Sequence, residues 1–160
     1  MTQGKIALER AEKVAAEIIK RLAPHCQRIE VAGSIRRRKT WVNDIDLVLI
    51  PNDLWAFHRE VMGLGSMKMS GGKIMRVMVG AIQIDIYAAT PETWATLLLI
   101  RTGSAQHNIK LASLAKKKGW RLAASGDGLF DETGERIAGD TESSIFTALG
   151  LKYLEPRQRE

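Results

Sequence analysis

Apolar residues recur at helical spacing from Lys5 to Ala23: Ala7, Ala11, Val14, Ala15, Ile18 and Leu22 share one face, with Glu and Lys/Arg on the other. The spacing predicts an amphipathic helix that Pro24 ends. Arg28 to Ala32 reads as a short strand delivering a Gly33-Ser34 turn, followed by a helical turn at Ile35 to Arg38. Asp44 to Pro51, carrying the apolar run Leu47-Val48-Leu49-Ile50, reads as the next strand. Asn52-Asp53 supplies a cap for a short helix through Met62. Gly63 to Gly72 reads as a glycine-rich loop with one weak strand. Lys73 to Val79 and Ala81 to Ala88 predict a β-hairpin turned near Gly80. In its second strand Ile82, Ile84 and Ile86 share one face, and Gln83, Asp85 and Tyr87 share the other.

Beyond this strand-rich part the pattern turns helical. Thr90-Pro91-Glu92 opens a helix that runs to Arg101, since proline suits a first helical turn. Thr102-Gly103-Ser104 breaks it, and a second helix runs from Ala105 to Lys118, capped by Gly119. Trp120 to Ala124 and Gly128 to Phe130 suggest a small hairpin. Asp131 to Gly139 reads as polar and turn-rich, Thr141 to Leu149 as a short helix ending at Gly150, and the rest as a polar tail. The expected fold is α/β (α+β): a short mixed sheet backed by helices, then a small helical part with a β-hairpin, the boundary falling near Pro91 or Thr102.

Composition sharpens this picture modestly. The 160 residues carry a net charge of +6, which suits a polyanionic partner. The basic residues concentrate in the first fifty positions and from Arg101 onward. Cys26 is the single cysteine, so an internal disulfide and a cysteine-based metal site are excluded. The N-terminal stretch Met1-Thr2-Gln3-Gly4-Lys5 does not read as a signal sequence, and no apolar run reaches membrane-spanning length. A soluble, monomeric, cytoplasmic protein is expected, of a microbial cell or encoded by a virus in its host.

Candidate chemistry centres on Gly33 to Asp46. Asp44 and Asp46 stand at i and i+2, so strand geometry puts both carboxylates on one face. Two such carboxylates repel unless a cation lies between them, which makes them candidate ligands for a hard ion such as Mg²⁺. Asp85, on the polar face of a neighbouring strand, completes a set that can hold two divalent ions (Mg²⁺, with Mn²⁺ as a substitute) for phosphoryl or nucleotidyl transfer. The bland alternative for Asp85 is a solvent-facing strand position. Gly33-Ser34 can present backbone N–H groups and a hydroxyl to phosphate, with Arg37 as a guanidinium clamp. Arg36, Arg38 and Lys39 read more as a solvated charge run, helpful for non-specific attraction only. His25 and His58 read as surface residues, and Trp41 and Trp94 as packing residues.

Gly33-Ser34 followed by Asp44-Ile45-Asp46 resembles the signature of the nucleotidyltransferase superfamily. Ala32-Gly33-Ser34-Ile35-Arg36-Arg37-Arg38-Lys39 with Asn43-Asp44-Ile45-Asp46 is similar, more narrowly, to the DNA polymerase X family. Thr102-Gly103-Ser104 with His107-Asn108-Ile109-Lys110 resembles the nucleotide-binding segment of that family's thumb. Gly128-Leu129-Phe130, Gly134-Glu135 and Ile145-Phe146 through Pro156 resemble its C-terminal end. The resemblance spans nearly the whole chain and implies a palm over 1–90 and a thumb over 91–160. It implies Asp44, Asp46 and Asp85 as the metal-binding triad, and Gly33, Ser34, Arg37, Asn43, Gly103, Ser104 and Asn108 as nucleotide contacts. His107, Lys110, Lys116, Lys117, Lys118 and Arg121 become candidate DNA contacts, with DNA and nucleoside triphosphates as partners.

Two departures carry expectations of their own. The chain leaves no room for a lyase or fingers domain, so gap and 5′-phosphate recognition is in doubt. Ile100-Arg101, before Thr102, replaces an aromatic pair of many members that helps exclude the ribose 2′-hydroxyl, which implies weakened sugar discrimination. The resulting expectation is a templated DNA polymerase of repair type. One rival is a template-independent nucleotidyltransferase acting on RNA or another acceptor. The other is a non-catalytic DNA-binding module.

Overall fold

In a computed structural model that describes residues 4–160, the chain forms two compact units, one reaching to Ala89 and the other running from Thr90 to Glu160. Met1, Thr2 and Gln3, part of the stretch read above as lacking a signal sequence, lie outside the described residues.

The first unit runs β1 (Ile6–Ala7), α1 (Leu8–Leu22), β2 (Cys26–Val31), α2 (Gly33–Arg36), β3 (Trp41–Val42), β4 (Ile45–Pro51), α3 (Leu54–Met62), β5 (Ser66–Ser70), β6 (Ile74–Val79) and β7 (Ile82–Ala88). Five strands form one sheet in the order β2-β4-β7-β6-β5. It is mixed, because β4 and β7 pair in parallel while the other neighbours are antiparallel. The apolar stripe of α1 (Ala11, Ala15, Ile18, Leu22) and Phe57 and Val61 of α3 share one core with Ile45, Leu47, Leu49, Met75, Val77, Ile84 and Ile86. These strand residues sit at alternate positions, so the helices back one face of the sheet. Asp46, Arg76 and Asp85 belong to the alternate set and share the opposite face.

Local chemistry explains most boundaries. The Asp53 side chain accepts from the backbone N–H groups of Trp55 and Ala56 and caps α3. Gly80 takes φ +62° at the β6–β7 turn. Three expectations change. The first helix starts at Leu8 rather than Lys5, because Ile6 and Ala7 pair with Val42 and Trp41 as an isolated two-stranded ladder. The short helix α2 starts at Gly33 rather than Ile35. The weak strand expected within the loop from Gly63 to Gly72 is a full strand, β5, whose order comes from pairing with β6; its residues Ser-Met-Lys-Met-Ser are largely exposed and carry little alternation.

The second unit comprises α4 (Trp94–Thr102), α5 (Ala105–Lys117), β8 (Arg121–Leu122), β9 (Leu129–Phe130), β10 (Arg136–Ala138) and α6 (Glu142–Ala148). Leu99, Leu111, Ala115, Leu129, Ile145, Phe146 and Leu149 form its core. α4 starts four residues later than expected, because Thr90 to Thr93 close a side-chain-bonded turn first: the Thr90 N–H donates to Thr93 Oγ1 at 2.9 Å. β10, within the segment read as turns, joins β9 to make a three-stranded sheet. The tail read as polar is anchored. Arg159 is fully buried, with Nη1 donating to Glu142 at 2.7 Å, Nε donating to the Leu154 carbonyl at 3.0 Å, and the guanidinium set over the rings of Phe146 and Tyr153.

No helix among the described residues is long and apolar enough to cross a membrane.

Candidate functional site

The acidic residues of the first unit converge through strand register. Asp46, on β4, is the direct register partner of Asp85 on β7. Asp44 lies in the bend just before β4, one residue short of the strand start expected for it. It is hydrogen-bonded to Asp46 and close enough to Asp85 to feel its charge. Burial first, and the charge of Asp85 second, push the Asp44 carboxyl above its usual range; Arg76 and the bond to Asp46 pull the other way. Asp85 itself is buried, 4% exposed. That sets aside the solvent-facing alternative.

The glycine turn meets this cluster. Gly33 takes φ +60°, and a Cβ built there would lie 2.2 Å from Asp46 Oδ2. Only glycine lets the turn lie against the carboxylate in this backbone shape. The Ala32 N–H donates to the Asp46 carbonyl at 2.8 Å, fixing the end of β2 beside β4. Ser34 and Arg37 follow in α2 and at its end, both half-buried, while Asn43 is exposed.

Two residues that the motif reading passed over complete the cluster. Arg76, on β6, is the register partner of Asp85; its Nε donates to Asp85 Oδ1 at 2.7 Å and its Nη2 to Oδ2 at 3.4 Å. The Gln83 amide donates to both Asp85 oxygens, at 3.3 and 3.1 Å, and to Asp44 Oδ2 at 3.5 Å. The signal for both was present: a hairpin turning at Gly80 places position 76 opposite position 85, and Gln83 precedes Asp85 on the same face.

Three carboxylates from adjacent chain segments form an all-oxygen donor set of the kind that suits a hard divalent ion. The residues therefore fit such an ion chemically. Their present arrangement does not yet form a cage: among the described residues no three His, Cys, Asp or Glu side chains are grouped so as to hold a metal. Arg76 and Gln83 occupy Asp85 instead.

In the second unit the Thr102-to-Asn108 segment is tightly tied. The peptide between Gly103 and Ser104 is cis. Thr102 Oγ1 donates to the Leu98 carbonyl at 2.6 Å, Ser104 Oγ accepts from the His107 N–H at 3.2 Å, and the Ser104 N–H donates to the Arg159 carbonyl at 3.3 Å. Asn108 Nδ2 donates to the carbonyl of half-buried Ile100 at 2.8 Å, while its Oδ1 is buried without a hydrogen-bond partner. Arg101 is half-buried. Lys110, Lys116, Lys117, Lys118 and Arg121 are exposed.

His107 departs from its expected DNA-facing position: it is 3% exposed and packs against Phe146, the ring centroids 5.7 Å apart, because it lies on the inner face of α5 with Leu111 and Ala115. Trp41 also departs, being 59% exposed, whereas Trp94 is buried as a packing residue should be. His25 faces Glu60 at 3.7 Å, and His58 meets Ser70 Oγ at 3.1 Å.

A mixed sheet backed by helices on one face, with aspartates gathered on the other beside a glycine turn, defines a polymerase β-like α/β fold. The structure of Leishmania infantum polymerase beta in a ternary P/T complex superposes with a TM-score of 0.82 at 20% identity, covering 98% of this chain and 77% of that one. The DNA polymerase beta thumb family matches residues 97–160. The DNA polymerase/3′-5′ exonuclease PolX of Bacillus subtilis is 29% identical over 158 residues, covering 94% of this chain. The repair DNA polymerase X of African swine fever virus is 27% identical over 142 residues, covering 82% of this chain and 80% of its own length. DNA polymerase lambda of Rattus norvegicus is 29% identical over 160 residues. The chain spans 28% of the length of the Bacillus and rat relatives. The chain is thus similar to DNA polymerases named polymerase X, and its C-terminal residues 97–160 match the polymerase beta thumb.

Proposed function

We propose that this chain is a DNA-directed DNA polymerase that adds nucleotides from nucleoside triphosphates to a DNA primer 3′-end and releases pyrophosphate, in short-patch or gap-filling repair. The observation that carries this reading is the junction of Asp46, in register with Asp85, with the Gly33 turn that lies against its carboxylate. The match to the polymerase beta thumb and the similarity to relatives named as repair DNA polymerases support it. On this reading residues 1–90 are the palm and 91–160 the thumb.

Asp44, Asp46 and Asp85 would hold two Mg²⁺, or Mn²⁺, which supply charge neutralisation at the phosphates and acidity to the attacking hydroxyl. The chain's own residues do the positioning. Gly33 and Ser34 would offer backbone and hydroxyl donors to the triphosphate, and Arg37 a planar fork for its oxygens. Asn43 would stand at the rim of the same site. Gly103, Ser104 and Asn108 would meet the sugar and base of the incoming nucleotide. Ile100, Arg101 and Thr102 would set sugar selection, with Ile100 too small to exclude a 2′-hydroxyl strongly. Lys110, Lys116, Lys117, Lys118 and Arg121 would meet DNA phosphates, giving salt-dependent, sequence-independent affinity. His107 would act indirectly, by holding α5 in place.

The Arg76–Asp85 ion pair favours one competing reading, a DNA-binding module without catalysis, since it occupies a carboxylate the reaction needs. Primer extension on primer-template and gapped DNA, with each templating base, dNTPs and rNTPs, and an Asp44→Ala/Asp46→Ala control, separates the readings. Template-matched products that the double variant abolishes support polymerase function. Template-blind addition points to a terminal transferase or another acceptor. DNA binding without product with either metal supports the module.

A further inference from the structure

Asp46, Asp85 and Arg76 form one row across three adjacent strands, each the register partner of the next. The row puts a cation at the end of an acidic cluster. Asp85 receives four contacts: two from the Arg76 guanidinium and two from the Gln83 amide. A carboxylate has about four lone-pair sites, and these contacts engage both of its oxygens. A hard divalent ion takes carboxylate oxygens through the same lone pairs. Ion and guanidinium therefore compete for Asp85.

The two partners differ in freedom. The Asp85 side chain is 6% exposed and rooted in a central strand; the Arg76 side chain is 39% exposed, on a long flexible stem. When the pair opens, Arg76 has water to enter and Asp85 has none. A buried carboxylate without a partner is costly, so something must hold Asp85 whenever no ion does. Gln83 alone supplies no charge. Its third contact, to Asp44, ties the remainder of the cluster to the same arrangement.

We infer that Arg76 is an internal counter-cation: it neutralises Asp85 in the ion-free protein, yields it when a divalent ion binds, and thereby sets the ion affinity of the cluster. This rests on the reading of Asp44, Asp46 and Asp85 as metal ligands. Arg76 is a positioning residue in this scheme, since it acts on the metal through Asp85.

The test is Mn²⁺ binding to the full chain, followed by calorimetry and by loss of the free-ion electron paramagnetic resonance signal, with no nucleotide or DNA present. Wild type, Arg76→Met, Arg76→Gln and Asp85→Asn are compared, each checked for folding by circular dichroism. Removing the competing charge is expected to tighten Mn²⁺ binding about tenfold or more, the scale on which neighbours of a metal ligand act. The ion-free Arg76→Met protein should melt lower than wild type and gain more in melting temperature from Mn²⁺. Arg76→Gln, which keeps a donor for Asp85, carries the same expectation should the methionine variant fail to fold. Unchanged or weaker Mn²⁺ binding in the folded Arg76 variants, with Asp85→Asn impaired, would overturn the inference while leaving the metal site standing. Absence of Mn²⁺ binding in wild type at millimolar ion would overturn both.

Discussion

Gly33 shows how one missing atom shapes the site. Its positive φ alone makes alanine unfavourable by about 1–2 kcal/mol, and the added Cβ would strike the Asp46 carboxylate. Gly33→Ala should therefore lower the unfolding free energy measured in urea by about that amount or more and, unlike a remote glycine change, also weaken Mn²⁺ binding by moving Asp46. Cys26 makes a separate prediction. Burial pushes its thiol up to about 11, from an ordinary 9.0. The folded protein then holds the proton more tightly than the unfolded chain. The stability this confers is complete below pH 9 and is lost as pH rises toward 11. Alkylation by iodoacetamide at pH 8.5 should be slower in the native protein than in the urea-unfolded chain. Asp44, Asp46, Gly33 and Ser34 were legible because their spacing is local. Arg76 and Gln83 were not singled out, since their meaning depends on which strand lies opposite, though the Gly80 turn already implied the register. The burial of His107 was hidden for a related reason: its neighbours Asn108 and Lys110 read as a polar surface, but at position 107 the helix turns toward Leu111 and Ala115.

Among the elements, those with their own chemistry were readable and those that exist by pairing were not. α3 has an aspartate cap, and α6 has a capping box in which Thr141 and Ser144 bond reciprocally. Asp53→Ala should cost about 1 kcal/mol, through two lost side-chain bonds at the start of α3, measured as a shift in chemical denaturation with the slope unchanged. β1 and β10 carry little alternation and are ordered by β3 and β9, so no local pattern announced them, and β5, ordered by β6, was legible only as a weak strand. The turn before α4 is a similar case, because Thr90 and Thr93 use their side chains to delay a helix that proline and glutamate appeared ready to begin.

At the scale of the whole molecule, each unit has its own core, and the second is closed by its last residues. Arg159 joins Glu142, the Leu154 carbonyl, Phe146, Tyr153 and the Ser104 N–H through side chain and backbone. Arg159→Ala leaves Glu142 nearly buried without this partner, and should destabilise the second unit by about 3 kcal/mol, seen as earlier loss of amide protection in α6 and around Ser104. A polar tail gave no hint of this, because the apolar partners of Arg159 lie several residues upstream. The resemblance to polymerases, by contrast, was visible from motifs spread along both units. What joins these scales is the claim that Asp44, Asp46 and Asp85 serve nucleotidyl transfer at a templated 3′-end. Single-nucleotide incorporation into a one-nucleotide gap with Mg²⁺ or Mn²⁺, comparing wild type with Asp46→Asn, tests it most directly. The account predicts that wild type inserts the nucleotide matched to the template. Asp46→Asn should lower the rate by more than about a hundredfold, the scale of losing one group that stabilises transition-state charge, while DNA binding is retained. Equal incorporation by wild type and variant, or insertion indifferent to the templating base, would contradict it.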